Sequence, residues 1–81
     1  MARYFLHLRD HVSETLDPEG VDLPGLAELK VCVIDAARDI IASDARSGLI
    51  DLRYRIDADD EGGATVFSLP FGHAVSVVPP G

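Results

Sequence analysis

The sequence predicts an α+β two-layer sandwich, in which an antiparallel sheet of two β-hairpins packs on one long helix in the order ββαββ. Three observations lead to that class. Period-two alternation of apolar and polar residues occupies both ends of the chain, a helical period fills the middle, and clusters of Asp, Pro and Gly mark the changes between them.

The first alternating run, Arg3 to Arg9, sets Tyr4, Leu6 and Leu8 on one face and Arg3, Phe5, His7 and Arg9 on the other. Asp10-His11 turns the chain, and Val12, Glu14 and Leu16, with Ser13 and Thr15 between them, form a weaker second strand before Asp17-Pro18-Glu19-Gly20. From Pro24 to Ser47 the residues Leu26, Leu29, Val33, Ala36, Ala37, Ile40 and Ile41 fall in one stripe at about 100° per residue, the mark of an amphipathic helix. Pro24 suits the first helical position after a boundary at Asp22 or Leu23, Glu28 suits the positive end of the dipole, and Gly48 suits the left-handed position beyond the last turn. Val31 lies outside the stripe, free to face a partner, and Asp44 lies within it.

A third strand is expected where Ile50, Leu52, Tyr54 and Ile56 alternate with Asp51, Arg53, Arg55 and Asp57. Asp57 to Gly63 reads as a turn by composition, and Thr65, Phe67 and Leu69 alternate behind it as a fourth strand. After Pro70, residues 71–78 are open to two readings, a short last strand or an ordered tail. One α+β domain is expected over residues 1–78, with a flexible tail over 79–81, and a core of Tyr4, Leu6, Leu8, Ile50, Leu52, Tyr54, Ile56, Phe67 and Leu69 against the helical stripe.

Eighty-one residues at 8.7 kDa leave room for a single core, and 47% hydrophobic with 26% charged residues is an ordinary globular composition. A chain of this length buries only about 60% of its unfolded surface, so dimerisation is an expectation from size alone. No apolar run approaches the roughly 20 residues that span a bilayer, and Met1 to Tyr4 lacks the apolar stretch of a signal peptide. The lone Cys32 cannot form an internal bridge, so the expected compartment is the cytoplasm, without membrane attachment. A net charge of -7 opposes non-specific binding to nucleic acid.

The alternation nevertheless places Arg3, Phe5, His7, Arg9, Arg53 and Arg55 on one uncovered sheet face, the candidate binding surface of the chain. Arginines with an aromatic ring on a sheet can hold single-stranded RNA, the rings stacking on bases and the guanidinium groups holding phosphates. The plainer and favoured reading is a solvated mixed face, with Asp51 and Asp57 pairing those arginines. A third reading makes this face, or an edge strand, the place where a second copy docks.

Other chemistry has weaker signals. Asp57-x-Asp59-x-Glu61-Gly62 resembles the first half of a calcium loop, but Ser68 stands where the bidentate glutamate belongs. His7, His11 and Asp10 could converge as zinc ligands only through strand-to-turn geometry, and exposed hairpin histidines without metal are far commoner. The serines form no nucleophile elbow, no glycine-rich loop opens the helix, and nothing near Cys32 in sequence activates its thiol. Neither an enzymatic reaction nor a cofactor is expected.

The opening Met1-Ala2-Arg3-Tyr4-Phe5-Leu6-His7-Leu8-Arg9-Asp10, followed by Asp17-Pro18-Glu19-Gly20-Val21-Asp22-Leu23-Pro24, resembles a family of small alphaproteobacterial proteins classed as a domain of unknown function. The likeness continues through an alanine- and arginine-bearing helix to Val66-Phe67-Ser68-Leu69-Pro70-Phe71, with Ala2 in place of the usual proline and Leu6 in place of a second aromatic. The resemblance implies a bacterial, cytosolic, stand-alone domain and brings no reaction, cofactor or catalytic residue with it. It directs attention to His7, which has no evident structural reason on an exposed strand, with Arg3, Arg9 and Arg53 around it. The leading expectation is a non-enzymatic module, a homodimer or a binder of another protein, and the alternative is a nucleic-acid or anion binder using the arginine face.

Overall fold

In the computed structural model, which describes all residues from Met1 to Gly81, one long helix packs against an antiparallel sheet. The elements are β1 (Ala2–Arg9), β2 (Glu14–Thr15), β3 (Val21–Leu23), α1 (Leu26–Ser47), β4 (Arg55–Asp59) and β5 (Thr65–Pro70), followed by a 3-10 turn over Phe71–His73. β1 and β4 are central, β5 forms one edge, and β2 and β3 share the other edge by pairing with opposite ends of β1. The α+β class is therefore as expected, with five strands where the hairpin pattern gave four.

β1 forms where the alternation placed it, and its register sets the two faces. Leu6 pairs with Ala58 and Leu8 with Ile56 on the helix side, while Phe5 opposes Asp59, His7 opposes Asp57 and Arg9 opposes Arg55 on the open side. The second strand is much shorter than Val12 to Leu16 because Asp10 takes the N–H groups of Val12 and Ser13 into a side-chain turn, leaving only Glu14 and Thr15 to pair. The helix boundary also moves. Val21–Leu23 is strand, paired with Ala2–Tyr4, so Pro24 lies in the corner between sheet and helix and Gly25 is the residue before the first turn. At the other end Gly48 adopts the expected left-handed conformation (φ 93°) and donates to the Ala45 carbonyl.

The third strand starts later than its alternation suggested. Asp51 accepts both the N–H and the guanidinium of Arg53, which closes a local turn over residues the pattern had marked as strand. Leu52 and Ile50 are consequently 40% and 45% exposed instead of joining the core. β4 instead runs through Asp57 to Asp59, and the turn contracts to the residues after it, with Asp60 accepting the N–H groups of Gly62 and Ala64.

Leu29, Val33, Ala37 and Ile41 of α1 bury against Tyr4, Ile56, Ala58 and Leu69 of the sheet. Leu26, counted in the stripe, is half exposed beyond the edge of this contact, and Val31 faces solvent. Residues 71–78 contain no strand: the 3-10 turn drives Phe71 and Ala74 into the core, and Arg38 holds the Ala74 carbonyl from the helix. Phe71 is the largest fully buried side chain, with Tyr54 tilted against its ring at 5.9 Å between centroids. Phe71→Ala should therefore cost about 3–5 kcal/mol, read as a lower urea midpoint with unchanged slope.

Candidate functional site

The candidate surface is the face of the sheet that α1 leaves uncovered. Alternation along β1 brings Arg3, Phe5, His7 and Arg9 there, and β4 adds Arg55, Asp57 and Asp59. Arg53 does not join them, because the turn it closes with Asp51 lies ahead of β4.

Every arginine among the six residues is already matched to a carboxylate. Arg3 forms a two-point contact with Asp22 across β1 and β3, at 2.9 and 3.0 Å. Arg9 donates to Glu14 and to Asp57, both at 2.9 Å, and Arg55 donates to Asp57 from two residues away along the strand. Arg53 pairs with Asp51 at 2.9 Å. That is the mixed face in which aspartates pair the arginines, with Glu14 and Asp22 as the partners the sequence did not name.

Asp57 is the hub. It is the only charged residue fully enclosed, at 7% exposed, and it accepts from Arg9, Arg55 and the Ser68 hydroxyl of β5. Burial pushes its carboxyl up, but the Ser68 hydroxyl and the two guanidinium groups outweigh burial and hold it below the usual carboxylate range. Around Asp51 the Arg53 guanidinium and N–H push the carboxyl down to about 2. No buried side-chain nitrogen or oxygen lacks a hydrogen-bond partner.

His7 has a structural role that its strand position did not reveal. Its Nδ1 accepts the Asp17 backbone N–H at 3.1 Å, and because that amide can only donate, the ring proton sits on Nε2, which faces Asp59 at 3.4 Å. The ring stacks on Phe5 at 6.5 Å between centroids and 9° between planes. Nδ1 is thus occupied by the Asp17 N–H, and Nε2 lies near Asp59 without a hydrogen bond to it.

Asp17 itself holds three backbone donors, Leu6, Glu19 and Gly20, at 3.0–3.2 Å. Burial pushes its carboxyl up, and those N–H groups outweigh it so that the group lies below its ordinary range. Gly20 follows with φ 75°, and a Cβ there would stand 2.8 Å from the Tyr4 carbonyl oxygen. The Asp17-to-Gly20 segment is therefore a clamp on β1.

The remaining candidates stay apart. Asp57 and Asp59 of the calcium-like run lie in β4, Glu61 accepts the Arg3 N–H, and no three His, Cys, Asp or Glu side chains gather to hold a metal ion. Cys32 is a half-buried free thiol on α1. An open groove of about 410 Å³ lies between the start of β1 and the β4–β5 turn, lined by Tyr4, Leu26 and Val66 with Arg3, Asp60 and Glu61. Its carboxylates are engaged by backbone N–H groups, and it contains no nucleophile with an adjacent base. No helix is long and apolar enough to cross a membrane.

A family model described as a domain of unknown function (DUF6894) matches residues 3–72. The chain belongs to that family. The match takes in the β1 face, the Asp17-to-Gly20 clamp, α1 and both strands of the second hairpin, and stops just past Phe71. No curated protein and no solved structure matches the chain.

Two outcomes follow from this geometry. His7→Leu keeps the strand but leaves the Asp17 N–H without an acceptor, and should cost about 1–3 kcal/mol in urea unfolding. Asp17 and Asp57 are held below their unfolded values, so the folded chain binds fewer protons, and the stability they supply is full at neutral pH. It should be lost as pH falls below about 4 toward their folded values, and Asp57→Asn should flatten that acid limb of a urea-midpoint-against-pH curve.

Proposed function

We propose that this member of the DUF6894 family is a non-enzymatic self-association module, acting as a homodimer in the bacterial cytoplasm. One observation carries the reading. The isolated chain exposes 5372 Å², whereas a compact monomer of 8.7 kDa exposes about 4,700 Å². The excess, roughly 700 Å², approaches the roughly 800 Å² that each partner contributes to a standard interface. The small core points the same way: only 11 of 81 residues are buried, and Phe71, Leu29 and Val33 are the largest side chains fully removed from solvent.

The paired arginines favour this reading over the nucleic-acid alternative. A guanidinium already held by a carboxylate at 2.9 Å must break that contact before it can take a phosphate, and the net charge of -7 adds repulsion. The groove without a nucleophile and the His7 Nδ1 held by the Asp17 N–H favour binding over catalysis. The unpaired Cys32 suits a reducing compartment.

Light scattering coupled to size exclusion checks the reading. Purified chain should run at twice 8.7 kDa at micromolar concentration, with a protein-like ratio of absorbance at 260 and 280 nm. A monomer mass at every concentration contradicts it, and a 260 nm excess that salt removes revives the arginine face as a phosphate site.

A further inference from the structure

We propose that a second copy of this chain adds at the outer edge of β5, the two β5 strands running antiparallel about a two-fold axis with the flanks of α1 meeting above them. The inference rests on the self-association reading and names the surface that serves it.

The two edges of the sheet are finished in opposite ways. Along the outer side of β1 the rungs are filled in turn: Ala2 and Tyr4 pair with β3, the Leu6 N–H goes to the Asp17 carboxylate, and Leu8 pairs with Thr15. Charged Glu14 and Asp22 stand along that side. Natural sheets protect edges in this manner. β5 is neither paired nor charged on its far side: Thr-Val-Phe-Ser-Leu-Pro contains no charged residue, and Pro70 with the bulge beside Asp59 are its only blunting features.

The direction of its free groups follows from the ladder. Phe71 donates its N–H to the Tyr54 carbonyl, so the alternate residues Leu69 and Phe71 turn their backbone groups toward β4. Pro70 and Ser68 then turn theirs outward. Pro70, which has no N–H, sits where none is needed for the β4 ladder, and Ser68 presents both an N–H and a carbonyl to the edge. A Ser68–Ser68 pair about a two-fold axis would satisfy both groups of each copy at once, and the self-association reading supplies that second copy.

The flank of α1 supplies apolar surface beside this edge. Lys30 reaches over the Phe67 ring, 5.7 Å from its centroid, which places Lys30 above β5. Val31, the next residue along α1, is 61% exposed and Val66 of β5 37% exposed, and the proposed pair would cover both. The rival surface is the segment ahead of β4, where Leu52 and Ile50 are exposed.

With Ser68 on the two-fold axis, Val66 lies opposite Pro70 of the second copy, so Val66→Lys places an ammonium inside the uncharged seam, and Leu52→Lys places one at the rival surface. Sedimentation of the full chain over a concentration series should show the dimer dissociation constant raised at least about tenfold by Val66→Lys and unchanged by Leu52→Lys, with both variants melting cooperatively. Hydrogen exchange of wild type gives an independent reading: the Ser68 amide should slow at least about tenfold between dilute and concentrated samples. A wild-type dimer in which Ser68 exchanges at one rate throughout, or which only Leu52→Lys weakens, overturns the edge while leaving self-association standing. A wild type that stays monomeric overturns both.

Discussion

The Asp17 carboxylate closes the sheet. β1 is paired by two short strands that leave its middle uncovered, and a side chain completes the rung that neither strand reaches. The same carboxylate gathers the N–H groups of Glu19 and Gly20, which bends the chain back so that Val21–Leu23 can pair with the start of β1. Backbone N–H groups at a sheet edge are costly to leave unpaired once water is displaced, so one acceptor with several lone pairs stabilises a connection that no regular strand could make. His7 completes the clamp by accepting the Asp17 N–H, and Gly20 permits the close approach to Tyr4. The register of β1, and with it the division of its side chains between core and open face, depends on this segment staying in place.

That division explains why an arginine-bearing face is not a free cationic surface. Each guanidinium has a carboxylate on the neighbouring strand or within two residues, and Asp57 sits where three donors converge. Exposed pairs such as Arg3 with Asp22 contribute little to stability by themselves, because solvent screens them and ordering long side chains costs entropy. The enclosed Asp57 is different. A buried carboxylate without partners would be destabilising, so Arg9, Arg55 and Ser68 are needed to keep it charged and to tie β1, β4 and β5 together on the side that the helix leaves open.

The helix, the first strand and the final hairpin were legible because their patterns are sustained: Leu29, Val33, Ala37 and Ile41 repeat over three turns, and Tyr4, Leu6 and Leu8 alternate without interruption. The failures share a physical cause. Asp10, Asp17, Asp51 and Asp60 each spend a side-chain oxygen on nearby backbone N–H groups, and such local bonds override a periodic pattern that counts only hydrophobicity. Asp51 thereby ends the strand that Ile50 and Leu52 suggested, and Asp17 makes a strand of Val21–Leu23 where only a helix boundary was visible. His7 and Phe71 were opaque for another reason, since both act through residues at least ten positions away in sequence.

The two edges of the sheet are treated differently. Three elements, β2, the Asp17 clamp and β3, close a single side of β1, whereas none of the strands pairs with the far side of β5. The C-terminal segment goes inward instead, because burying Phe71 and Ala74 fills the gap between α1 and the second hairpin. In the proposed pair a second copy would supply the strand that covers β5. The uncharged character of Thr65–Pro70 then ceases to be an aggregation hazard, since an edge that pairs with its own kind closes after one addition.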